Sequence, residues 1–196
     1  MPTKNKQKNK KTLIYLGIGG IVLYLMLRPK ISSADPGTDP GESDPGGSTG
    51  LPLPNLPRGL SNNNPHNIKL TNIKWSGKVP NNRNTDGVFE QFFVLSDGYR
   101  ASVVNLLAYK NLGYNTLRKI INHWAPYDGG NYLNFVSNQS GIAPDEVLIN
   151  KFYNSASSVW NVLEPMAVFE NGGSYTNQVE QSYNAFQTGF NKALNE

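Results

Sequence analysis

RGLSNNNPHNIKLTNIKWSGKVPNNRNTDGVFEQFFVLSDGYRA, residues 58–101, is the stretch on which the reading of this chain turns. It joins the consecutive asparagines Asn62, Asn63 and Asn64, a proline turn at Pro65, one tryptophan, Trp75, a short aromatic run and the start of a helix. Nothing in it is repeated or low in complexity. The run VFEQFFVL, residues 88–95, is rich in β-branched and aromatic residues and predicts one or two short strands. Alternation along that run puts Glu90 on the face shared with Val88, Phe92 and Val94.

Beyond residue 100 the apolar spacing becomes helical. Ser96 or Asp97 is placed to cap a helix whose inner face carries Val103, Val104, Leu106 and Leu107 and which Gly113 ends. Asn115 or Thr116 caps a second helix with Leu117, Ile120, Ile121 and Trp124 inward, stopped by Pro126. GGNYLNFVSNQSG predicts a short third helix, and Pro144 suits the first residue of a fourth running through APDEVLINKFY. In SASSVWNVLEPMAVFEN, Pro165 is expected to kink or split the helix, and YTNQVEQSYNAFQTGFNKALNE reads as a single terminal helix with Tyr183, Phe186 and Phe190 inward. The expected fold is mainly α, an α+β arrangement in which one globular domain, residues 58–196, stands on an N-terminal transmembrane helix and a disordered linker.

The N-terminal third supports that division. Residues 1–11 form a lysine-rich arm, and residues 12–28 form an uncharged apolar run closed by Arg28. Sixteen helical residues rise about 24 Å, and Lys11, Arg28 and Lys30 can snorkel to the two faces of a hydrocarbon core roughly 30 Å thick. A cleaved signal peptide is the rival reading, but the run ends in Leu-Met-Leu-Arg-Pro-Lys with no small-residue cleavage site. The positive-inside rule puts the arm on the cytoplasmic side and the domain outside, as a single-pass membrane protein. Residues 29–57 repeat Asp-Pro-Gly three times, a composition that gives a solvated tether and no core.

Composition narrows the chemistry. Removing the first fifty of 196 residues leaves roughly 145, enough for one domain with a buried core. The net charge of +4 divides unevenly. Residues 1–30 hold seven bases and no acid, residues 31–50 four acids and no base, and the remainder eleven bases against ten acids. The domain is near neutral, so nucleic acid is a partner only for the basic arm, through phosphate contacts. With no cysteine and two histidines, His66 and His123, neither a metal nor a cofactor is expected.

The order R-G-x-x-N-N-N-P-x-N-I, W-x-G, D-x-x-F-x-x-F, G-x-R-A, L-x-x-Y, I-I-x-x-W-A-P and G-I-A-P-D runs from Arg58 to Asp145. Its elements are Arg58-Gly59, Asn62 to Ile68, Trp75 with Gly77, Asp86 with Phe89 and Phe92, Gly98 with Arg100-Ala101, Leu106 with Tyr109, Ile120 to Pro126 and Gly141 to Asp145. This ordered set resembles a family of phage and prophage virion structural proteins with a lysozyme-like, lytic-transglycosylase-like muralytic domain. The resemblance implies a virion-borne protein that meets peptidoglycan, with other virion proteins as neighbours. The combination with a membrane anchor implies a virus whose particle contains a lipid membrane. After Trp124-Ala125-Pro126 the family usually continues Pro-Ser-Glu-Asn, whereas this chain has Tyr127-Asp128-Gly129-Gly130. Asp128 is the only local substitute for that glutamate.

Glycosidic cleavage needs a carboxylic acid kept protonated by an apolar setting. The candidates are Glu90, which desolvation would push up, Asp86 and Asp128; the glutamate that lysozymes carry ahead of the asparagine-rich segment falls at Glu42, within the tether. Sugar binding needs flat aromatic faces and amides, which Trp75, Trp124, Tyr127, Asn62, Asn63, Asn64 and Asn67 supply. Two readings stand: an anchored enzyme that cuts glycan strands during entry or lysis, and a non-catalytic virion component that keeps the lysozyme-like shape for assembly.

Overall fold

The computed structural model describes residues 56–126, 128 and 130–195. The expectations for the basic arm, the membrane helix and nearly all of the tether lie outside these residues, as does Tyr127. Among the described residues no helix is long and apolar enough to cross a membrane. The elements are α1 (Arg58–Ser61), α2 (Leu95–Asn111), α3 (Leu117–Trp124), α4 (Asn131–Ser140), α5 (Asn150–Tyr153), α6 (Ala156–Asn171), a 3-10 turn at Gly173–Tyr175, α7 (Thr176–Glu180) and α8 (Tyr183–Leu194).

The mainly helical expectation holds, while the strands reduce to two isolated bridges, Lys69 with Phe89 and Lys78 with Phe92. The reason lies in the asparagines. Asn64 donates to the carbonyls of Ile68 and Glu90, each at 2.9 Å, Asn63 donates to Phe92 O at 3.0 Å, and Asn84 donates to Phe89 O at 2.9 Å. Side-chain amides thereby take carbonyls that a continuous ladder would use.

Several helix boundaries follow the sequence and several correct it. Thr116 caps α3 by accepting from Lys119 N at 3.3 Å, and Gly113, at φ +85°, follows α2 in the left-handed conformation that glycine tolerates. α2 begins one residue before the expected caps, so Ser96 and Asp97 lie in its first turn, where the Asp97 carboxylate faces the positive end of the helix. Pro144 starts no helix. Its carbonyl accepts from Arg118 N at 2.8 Å, Leu148 N donates to Asn115 O at 2.8 Å, and Asp145 pairs with Arg118 at 2.8 Å, so beyond a single turn from Ala143 O to Glu146 N this segment bonds to the start of α3. Pro165 breaks nothing: α6 is continuous across it, because the carbonyl it leaves without an N–H belongs to exposed Asn161. The terminal helix, expected as one, divides at Gln181–Ser182, where buried Ser182 turns its hydroxyl back to Val179 O at 2.6 Å.

The main core is an aromatic-rich cluster built on α2, α6 and α8. Tyr99 meets Phe186 and Trp160 edge-on, each pair with ring centroids 5.8 Å apart. Burying a Leu or Phe here stabilises the fold by roughly 1.5–3 kcal/mol. Close passage of α8 over α2 depends on Gly189, where an added Cβ would stand 2.3 Å from Ser96 O. On the other flank of α6, Tyr132 of α4 stacks on Phe169 with centroids 4.2 Å apart.

The asparagine-rich stretch is tied to this helical body from its far end. Asn171, the last residue of α6, donates to Pro65 O at 2.7 Å and to Ala167 O at 2.8 Å and accepts from Leu60 N at 3.2 Å. Gly98 lets the Asn63 carbonyl approach α2 so closely that an added Cβ would lie 1.8 Å from it. His66 is wholly buried between the two layers, its ring nitrogens meeting Leu163 O and Ser102 Oγ, each at 2.8 Å.

Candidate functional site

The carboxylates singled out within the central stretch are engaged by the fold. Glu90 is 0% exposed, whereas Val88 on the same predicted face is 50% exposed, so simple alternation does not describe this run. Oε1 of Glu90 accepts from Thr71 N at 2.9 Å, Thr71 Oγ1 at 2.8 Å and Lys78 Nζ at 2.8 Å. Oε2 takes no further hydrogen bond and is neutralised by the same ammonium at 2.8 Å. An acid that delivers protons to a substrate needs an acceptor within reach; every partner of Glu90 is a donor, and the site is closed to solvent. The expectation of Glu90 as a proton donor is corrected on that ground.

Asp86 is held by Arg58, with bonds of 2.6 and 2.7 Å, by Asn62 Nδ2 at 2.7 Å, and by the N–H groups of Val88 and Phe89 at 3.1 and 2.9 Å. The Arg58 guanidinium first, then the Asn62 and backbone donors, hold its carboxyl well below the usual carboxylate range, against a smaller opposing effect of burial. Such a group stays ionised and organises the loop; it does not supply protons. Asn62 and Asn64 are likewise consumed, Asn62 Oδ1 by Gln91 Nε2 at 2.9 Å and Asn64 Oδ1 by Ile68 N at 2.9 Å, which corrects their assignment to sugar binding. Asn63, at φ +51°, spends its amide on Phe92 O and Phe93 O. Trp75 packs against the small cluster of Ile68, Phe92 and Ala101, its indole N–H buried and without a partner.

Three of the other candidates converge elsewhere. Asn67, Trp124 and Asp128 gather around Glu170, near the C-terminus of α6, which sequence reasoning missed. Asn67 Nδ2 donates to Glu170 Oε2 at 3.1 Å; the Tyr132 hydroxyl, which donates to Met166 O at 3.3 Å, and the Trp124 indole lie near enough to favour the charged carboxylate. Burial is the largest influence and pushes Glu170 up from the ordinary range; Asn67, Tyr132 and Trp124 pull it back, and the Asp128 charge raises it again. Asp128 itself accepts from Tyr132 N at the start of α4, with Oδ2 as acceptor. The half-buried Glu170 remains in touch with solvent.

Two further signs mark the place. Asn67 sits at φ +48°, a left-handed conformation that costs a non-glycine residue energy, and its Oδ1 is buried with no partner. Strain, an orphaned acceptor, a carboxyl pushed up by burial and a neighbouring acid coincide at one edge of α6, which is the combination expected of a working site. The cluster can hold a proton on Glu170 and present the half-buried Trp124 indole beside it. Among the described residues no group of three or more His, Cys, Asp or Glu residues is arranged to hold a metal. The signal available in the sequence was Glu164 and Glu170, two acids carried by the otherwise largely apolar helix SVWNVLEPMAVFEN.

Comparison with known proteins agrees on the lineage. No family model matches the chain. It is 34% identical over 141 residues to "Protein P5" of Pseudoalteromonas phage PM2, a match that spans 68% of this chain and 82% of that protein. The chain belongs to the family of this phage protein, P5 of PM2.

Proposed function

We propose that the chain is a phage virion protein whose lysozyme-like domain binds peptidoglycan glycan strands at the Glu170 cluster and cleaves them. The observation that carries this reading is the Glu170 carboxyl, half-buried, pushed up by burial and set among Asn67, Trp124, Tyr132 and Asp128. In the proposed step Glu170 gives its proton to the glycosidic oxygen as the C–O bond breaks, the Asp128 carboxylate offsets the positive charge that develops on the sugar, and a water molecule then adds to that carbon and returns a proton to Glu170. Asn67 Nδ2, 3.1 Å from Glu170 Oε2, holds the carboxyl in position for that transfer. Residues 12–28 anchor the protein in a lipid membrane of the particle, with the Lys-rich arm toward the packaged genome and the domain outward.

The test is zymography of the full-length protein, in detergent, against purified sacculi. Glu170→Gln keeps the volume and hydrogen-bonding reach of the acid but has no proton to deliver near neutral pH, so cleavage is expected to vanish while melting is unchanged. Full clearing by that variant removes Glu170 from the reaction. A second reading, a non-catalytic structural or assembly component, is favoured by one observation: Asp86 and Glu90, the acids of the asparagine-rich stretch, are both committed to internal ion pairs. Sedimentation with sacculi in the absence of any clearing by the wild type would select it.

A further inference from the structure

A second site lies on another face of α6. Six residues separate Glu164 from Glu170, which turns their side chains about two-thirds of a revolution apart. Glu164 opens into a groove of about 440 Å³ between α6, α7 and α8, lined by Ser157, Trp160, Glu164, Glu180 and Tyr183. We propose that this groove binds an organic ammonium group of the kind carried by a lysine side chain.

The chemistry of the walls selects that class. Two glutamates face one cavity, and neither is paired with a lysine or arginine among the described residues. The Trp160 indole lies beside Glu164 in the groove wall and favours its charged form. Burial pushes the Glu164 carboxyl up, and the charge of Glu180 pushes it further, so the groove carries a repulsion that an entering cation relieves. The rings of Trp160 and Tyr183, with centroids 5.3 Å apart and planes at 70°, offer π surface in two orientations, which attracts a weakly hydrated cation and packs on an alkyl stem. A hard divalent ion is a poorer fit: it takes six or more oxygen ligands, and the described residues offer no third acid here. Trp160 is also anchored from behind, tilted against Phe186 at 4.8 Å, so its ring is set before the ligand arrives. None of these residues belongs to the Glu170 cluster, and the inference stands whether or not that cluster cleaves glycan.

The experiment titrates the full-length protein in detergent micelles with Nα-acetyl-lysine methylamide, and in parallel with the same compound acetylated at Nε. The readout is the indole N–H resonance of Trp160, assigned by its absence in Trp160→Phe. A saturable shift with the free ammonium and none with the neutral analogue is expected. In Glu164→Gln and in Glu180→Gln the affinity should fall about tenfold, the loss of a sizeable part of the charge attraction. Equal response to both compounds, an equal response to magnesium, or undiminished affinity in the double Gln variant would overturn the assignment. Should the double variant fail to melt cooperatively, the comparison of the two compounds on the wild-type protein still decides.

Discussion

His66 gives the sharpest stability prediction. The ring is completely buried, and desolvation lowers its pKa from 6.5 to about 4, opposed only in part by the bond to the Leu163 carbonyl. In the unfolded chain the imidazole takes a proton as pH falls through 6.5; in the folded protein it refuses one until about 4. Between those values the unfolded state binds more protons, so stability is full above pH 6.5 and falls as the solution is acidified. Each pKa unit is worth about 1.4 kcal/mol, so the loss approaches roughly 3 kcal/mol at pH 4. For a domain of this size that lowers the melting temperature by roughly 6–12 °C. Glu164 and Glu170, both raised, act in the opposite sense as pH falls, and Asp86 yields stability only below its ordinary value of 3.8. The assay is therefore a difference: denaturant unfolding of the wild type and of His66→Gln at pH 7, 6, 5 and 4.5. The variant is less stable at pH 7 and loses much less on acidification. Parallel pH profiles for the two proteins would refute the reasoning.

Other expectations follow from the same contacts. Lys78→Met strands the buried Glu90 carboxylate and should cost about 3–5 kcal/mol in denaturant unfolding, while the double change Lys78→Met with Glu90→Leu should recover most of it, because a buried pair replaced together leaves no lone charge; equal instability of single and double variants would contradict this. Asn171→Leu leaves Leu60 N–H and Pro65 C=O without their partner, each costing about 1–3 kcal/mol, and should lower the melting temperature and loosen the asparagine-rich stretch, read as faster amide exchange at Leu60. Unchanged exchange there would mean that Asn171 is not the pin. Gly98→Ala should destabilise strongly, since its methyl would meet the Asn63 carbonyl at 1.8 Å, and a melting temperature equal to that of the wild type would rule that approach out.

What the sequence reveals, and what it hides, divides along physical lines. Helices carried by long apolar periodicity, such as α3 with Leu117, Ile120 and Ile121 inward, are legible because the repeat of 3.6 residues is local. The interval from Pro144 to Ile149 is not, because apart from one turn its backbone is held by Arg118 and Asn115, remote in sequence. The same holds for the site. Asn67, Trp124 and Asp128 are recognisable as residue types that bind or react, but their meeting point is Glu170, which the bonds of Asn171 to Leu60 and Pro65 bring within reach of Asn67. Glu90 shows the converse: alternation puts it on one face with Val88, which is exposed while Glu90 is buried, and no local pattern announced that Lys78 and Thr71 would occupy it.

The proposed activity comes down to soluble glycan released from purified sacculi by full-length wild type and by Glu170→Gln across a pH series. A general acid works only while protonated, so wild-type release should fall as pH rises through the elevated pKa of Glu170. Glu170→Gln should release nothing at any pH while melting with the wild type. Equal release by the two proteins, or a wild-type rate that does not vary with pH, would contradict the assignment of Glu170 as the proton donor.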